Sequence, residues 1–334
     1  MSNRVGIAVI GVLVAMFVGA CSPVVDGDIP TSGGQSADQS VPDNGDSPMS
    51  EDPTKDTSDT GAGSGAGVVV KDRASWSLPI YPYFSVDLSD YQMNAKQWLV
   101  RDCMAVDGWD YRVGVDASAP LAETTSVSGA RLFTPELAAK YGYRRAPDPR
   151  SPLDNEIAAM GGGGLYSEEP PEFDQKLDEC LSQGREELKR AGAPDEPSET
   201  EQAVSGGYNV LFRDAITDEV HQAAARWHTC MAPLGIVDLP EEPWTAGAMS
   251  MPPSLMNAWG WTSSFGKPSA DEVRIAVHDA NCRETSGWSE ALYESQWDLA
   301  EKFVEDNKPA LDALLQQHNE YIKKYQQIIA DHQS

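Results

Sequence analysis

The chain is poor in positive charge, in histidine and in cysteine. Its 334 residues hold 25 Lys and Arg against 52 Asp and Glu, a formal net charge of −27 with five His and five Cys. So acidic a molecule repels phosphate backbones and anionic bilayers, so nucleic acid is not an expected partner and the chain is not expected to lie flat on lipid. A solvated, secreted domain accounts for the excess charge. No Gly-x-Ser-x-Gly, His-Glu-x-x-His or P-loop occurs, so three common signatures of hydrolases and nucleotide enzymes are missing. The run GGGGLYSEE lacks the strand-to-helix setting and spacing of a dinucleotide loop, and DNGDSPMSED misses the spacing of a calcium loop. Carboxylates are too numerous for any glycosidase-like couple to stand out. No cofactor and no catalytic residue is expected from these patterns.

A long hydrophobic run is also missing. Residues 5–20 carry no ionisable side chain, yet as a helix they reach only ~24 Å, short of the ~30 Å hydrocarbon core of a bilayer. That length suits the apolar region of a secretory signal peptide, with Arg4 as its leading charge. The run ends Val18-Gly19-Ala20-Cys21, which resembles the lipobox of bacterial lipoproteins. The resemblance implies cleavage after residue 20 and a diacylglycerol thioether on Cys21, which would anchor the mature chain in the cell membrane on its extracytoplasmic face. An uncleaved anchor or an ordinary export signal is the competing reading.

Residues 22–70 contain no aromatic residue and nine acids against one base, Lys55, in a background of Ser, Gly, Pro, Asp and Thr. So little apolar surface cannot offset the entropy of ordering, which predicts a disordered tether over residues 21–72 that spans ~40 Å r.m.s.. The remaining residues form a head with a formal charge of about −20, long enough for one large domain or two small ones. The turn-rich, acidic stretch 193–207 reads as a linker between a first helical half, 73–192, and a second, 208–334.

The two halves echo each other. WLVRDCMAVDG (98–108) and RWHTCMAPLG (226–235) each end a helix-like stretch with Cys-Met and a Gly four residues beyond the Met. Each is followed by a second helical pattern with one cysteine, FDQKLDECLSQG (173–184) and SADEVRIAVHDANC (269–282). With Cys21 set aside, Cys103, Cys180, Cys230 and Cys282 remain, an even set suited to an oxidising compartment. Four cysteines allow three connectivities, and one bridge per repeat gives Cys103–Cys180 and Cys230–Cys282. Capping boxes are expected at Ser89 with Gln92 and at Ser269 with Glu272. A short helix over 135–141 is punctuated by Thr134, Pro135 and Gly142. From Leu311 a broad apolar face continues for about three heptads, with Pro309 starting that helix or kinking it away from 288–306. The fold class is therefore mainly α, with minor β-structure near 109–116 and 234–262, closed by a long terminal helix.

The segments IAVHDANCRETSGWSEALYESQ and NKPALDALL, with CMAPLG and TPELAAKYGY, resemble pieces of a group of actinobacterial secreted lipoproteins. The resemblance spans about half of the head and implies a cell-surface lipoprotein; it carries no activity.

Three ligand patterns arise in the second half. His228, Cys230, His278 and Cys282 offer zinc-type ligands, but exported thiols oxidise and the two imidazoles fall on different helical faces, so no metal is expected. Met249, Met251 and Met256 have a spacing open to Cu(I), although methionine more often fills core. Trp259 and Trp261 would face one way on an extended strand and offer a stacking surface to cell-wall glycan; a buried strand explains them equally. The expected function is a non-catalytic envelope lipoprotein that binds cell-wall glycan or another envelope protein. The alternatives are a wall-directed hydrolase and the substrate-binding subunit of an importer.

Overall fold

The computed structural model describes residues 69–159, 166, 168–193, 199–244 and 251–333. The signal-peptide and lipidation expectations, including Cys21, lie outside the described residues, as does most of the expected tether and Met249. The described head falls within one compact unit.

Nine α-helices make up the described fold: α1 (Asp87–Val106), α2 (Pro135–Tyr141), α3 (Pro152–Ala159), α4 (Pro171–Arg190), α5 (Glu199–Asp214), α6 (Asp218–Met231), α7 (Pro253–Ala258), α8 (Ala270–Thr285) and α9 (Trp288–His332). Short 3-10 turns lie at Tyr81–Tyr83 and Ala232–Leu234. The mainly-α class holds, and among the described residues the minor β-structure is reduced to a single bridge. The one extended pairing among the described residues is a bridge between Thr125 and Arg131. Residues 109–116 lie against α1, and the later part of the segment takes its backbone partners from side chains instead of a strand. Gln97 Oε1 accepts from Gly114 N at 2.6 Å and Val115 N at 3.0 Å, and Asn94 donates to Val115 O.

Both bridges form as one per repeat. Cys103–Cys180 staples α1 to α4, and Cys230–Cys282 staples α6 to α8. Around the first, Val100, Met104 and Phe173 are buried; around the second, Trp227, Met231 and Ile275.

Helix α9 unites what the sequence divides. Its first turns pack on α6 and α8, its middle on α5, and its last turns on α1. The stretch expected as a linker is helical from Glu199, because Val204 is buried in a cluster with Tyr293, Trp297 and Leu311 of α9. The same cluster explains Pro309, which neither starts α9 nor interrupts it. Buried Tyr293, Trp297 and Ala300 before it and Leu311 after it share one core, and that burial holds the helix through a residue that cannot donate its backbone bond.

Local punctuation is read well in two places and misread in one. Thr134 accepts from Leu137 N, with Pro135 in the first turn and Gly142 at positive φ after the last. Ser269 accepts from Glu272 N at 3.1 Å. At α1 the expected box is absent: the helix starts at Asp87, and Ser89 Oγ donates to Val86 O instead.

Candidate functional site

Five of the residues singled out as ligands take up structural roles. Cys230, His278 and Cys282 do converge, with ligand atoms within 4.8 Å of one another. Both sulfurs are bonded to each other, however, and His278 Nε2 lies 3.0 Å from Cys230 O. His228, on the last turns of α6, is not part of this group. Met251 is buried and Met256 packs against the same core.

Trp259 and Trp261 do not sit on a strand. Trp259 ends α7, its N–H donating to Leu255 O, and Trp261 follows Gly260 at φ 56°. Trp259 stacks on Tyr143 at 5.8 Å and donates Nε1 to Asp271 at 3.0 Å. Trp261 is buried under the Arg144 guanidinium, 4.2 Å from its ring.

Beneath them lies an ionic core that sequence reading missed. Asp279 is fully buried and accepts from Trp227 Nε1 at 2.7 Å, Tyr143 Oη at 3.0 Å, and Arg283 Nε and Nη2 at 2.9 Å each. Arg283 also donates to Trp244 O at 2.6 Å. Burial pushes the Tyr143 phenol well up, and Asp279 adds to the effect. Glu272, raised by burial and held back by Arg144, accepts from Tyr143 N. Arg131 caps the end of α2 through the carbonyls of Gly142 and Tyr143. Burial, with Arg145 and Arg283 nearby, lowers its guanidinium to about 9. Every strong acceptor here already has donors, so this constellation holds the fold and offers no reacting group to solvent.

The open concavity lies elsewhere, between residues 69–88 and the second half of α9. Its volume is about 1030 Å³, and loop residues Leu121 and Val127 and the side chain of Arg150 complete its walls. The 69–88 segment is held on α9 by Tyr293, whose Oη accepts from Asp72 N at 2.9 Å and donates to Ser77 O at 2.7 Å. Trp76 adds a bond to Gln296 at 2.8 Å and an edge contact with the Tyr293 ring. That contact keeps Trp76 at φ 51°, a left-handed backbone rare for a bulky residue.

Three charged side chains line this cleft. Arg150 Nη1 donates to Asp87 at 2.7 Å and to Asp90 at 2.8 Å, and its Nε to Ala119 O at 2.8 Å, so two carboxylates offset its charge. Asp72 accepts from the Ser75 hydroxyl at 2.5 Å and from Ala74 N at 3.0 Å, which together hold its carboxyl below the ordinary value. Asp90 is displaced the other way by burial, against the pull of Arg150, but it faces Arg150 and is not part of the lining. Asp72 and Asp90 therefore do not flank one space as an acid–base couple, and Asp87, which lines the cleft with Asp72, is paired with Arg150. His318 of α9 is 7% exposed, its Nε2 3.6 Å from Glu201 and without a hydrogen-bond partner. Tyr81, pushed up to about 12 by burial, is a neutral phenol in the wall.

Fold and cleft define a mainly-α head stapled by two disulfides with a ligand-sized hollow along its longest helix. Comparison with known protein families, with curated proteins and with solved structures finds no match for this chain. Among the described residues, no helix is long and apolar enough to cross a membrane.

Proposed function

We propose that the chain is a lipoprotein anchored through Cys21 to the extracytoplasmic face of the cell membrane, and that its head binds a ligand instead of converting one. The pairing of the cysteines carries this reading: all four in the described head are consumed by two bridges, and the fifth follows Val18-Gly19-Ala20. Buried disulfide-stapled helix pairs suit an oxidising compartment, where glutathione does not reach. The stretch 22–68 then serves as a spacer between bilayer and head. The cleft supports binding over turnover, since its basic side chain is paired with two carboxylates and, of the two acids that line it, Asp87 is held by that base. An importer subunit would call for two lobes built around sheets, and no strand is present among the described residues.

The test is the intact mass of the membrane-extracted protein, with and without reductant. The expected mass lacks residues 1–20, carries an acyl-bearing thioether, and gains four hydrogens on reduction, two for each bridge. An unmodified chain that begins at Met1 and has free thiols overturns the reading.

A further inference from the structure

We infer that the cleft between residues 69–88 and α9 takes amphiphiles with an apolar body and a cationic group, in preference to neutral and anionic ones. This deepens the ligand-binding reading and rests on it, but it does not depend on the lipid anchor.

The apolar requirement comes from the walls. Leu88, Leu121, Val127, Leu315 and Ile322 contribute aliphatic surface from three separate segments. Val70 and Val127, both lining residues, remain 76% and 49% exposed. A concavity with aliphatic walls and valines left in water gains by covering them with a hydrocarbon.

The sign of the polar group follows from the charges that accompany those walls. Asp72 and Asp87 line the cleft, and Asp90 stands behind Arg150. Two acids thus line the cleft with one base, and that base already donates to Asp87, to Asp90 behind it and to a carbonyl. An anionic head group would meet a guanidinium whose charge two carboxylates already offset. It would also approach against the field of a chain with formal charge −27. A cation meets the reverse situation. Asp72 is ionised, exposed, and oriented by Ser75 and Ala74, so one carboxylate is fixed beside the apolar hollow before any ligand arrives. Deeper in the cleft His318, whose Nε2 has no hydrogen-bond partner, offers a further polar contact.

The experiment uses the purified full chain and isothermal titration with octyltrimethylammonium, octanol and octanoate, with buffer alone as the blank. The expected result is saturable one-to-one binding of the ammonium about tenfold tighter than octanol, with octanoate weaker than both. Asp72→Asn, at an exposed position where one of the two acceptor oxygens is kept, should bring the ammonium affinity down to that of octanol. Leu121→Trp, which fills the hollow, should weaken all three while the melting temperature stays within a few degrees of the parent. Octanoate binding as tightly as the ammonium, or an unaltered preference in Asp72→Asn, overturns the charge argument and leaves the binding reading standing. Failure of all three probes to saturate removes both.

Discussion

The indole N–H of Trp227 donates to Asp279 at 2.7 Å, at a depth where neither side chain meets solvent. That bond ties α6 to α8 on the inner side of the Cys230–Cys282 bridge, and Arg283 and Tyr143 close the ring of donors around the same carboxylate.

Removing the acid should be far worse than replacing the pair. Asp279→Ala strands a buried guanidinium and two further donors, which costs about 3–5 kcal/mol. The double variant Asp279→Leu with Arg283→Met should recover a large part of that loss. Thermal denaturation of the three proteins checks it; equal losses in single and double variants would refute the account.

Each bridge closes a long segment, 77 residues for Cys103–Cys180 and 52 for Cys230–Cys282. Chain entropy assigns about 4 kcal/mol to either, slightly more to the longer. Replacing both cysteines of one bridge by serine should lower the midpoint of denaturant unfolding accordingly. Reductant should reproduce the combined loss in the parent and have a smaller effect on each single-bridge variant.

Arg150→Met is expected to cost about 1–3 kcal/mol at pH 7, since it leaves half-buried Asp90 and its neighbour Asp87 without their cation. Asp90 already titrates above its ordinary 3.8 because of burial, and loss of Arg150 raises it further. A carboxyl that binds its proton more tightly in the folded state favours folding as acid is added. The deficit of the variant should therefore be greatest at neutral pH and shrink as pH falls through the raised value toward 3.8. Melting curves from pH 7 to pH 4 read it directly.

Pro309 is exposed in the interior of a continuous helix, where it withholds a backbone donor from the carbonyl of residue 305. Pro309→Ala should restore that bond and raise stability by up to about 3 kcal/mol. A lower melting temperature would show that the ring itself is needed where it stands.

Legibility in the sequence followed the range of the interaction. Thr134, Pro135 and Gly142 announce α2 because a cap, a first-turn proline and a positive-φ glycine act within one another's reach. The bridges were legible because each Cys-Met repeat is followed by one further cysteine on a helical pattern. Asp279 gave no such signal. It is one of 52 acids until α6 and the loop at Tyr143 bring donors to it from 52 and 136 residues away. The cleft was equally silent, because Asp72 meets Tyr293 across 221 residues and neither position has a motif. The β-structure expected at 109–116 failed for a related reason: Gln97 and Asn94 on α1 satisfy that backbone, and an extended segment then needs no neighbouring strand. The stretch around Trp259 looked like a strand because its two tryptophans alternate, but a six-residue helix and Gly260 turn them into a packed corner.

Helix α9 runs for 45 residues, about 68 Å, and its final turn is fastened: Arg101 grips the carbonyl of His332 at 2.7 Å while Asp102 meets the imidazole. Because α1 clasps one extremity of this rod and α6 the other, mechanical or proteolytic insult should travel along it in order. Trimming the last turn would unlatch the α1–α4 pair first, with the α6–α8 pair still gripping the opposite extremity. A nick in the middle of the rod would instead sever the one element that both stapled pairs share.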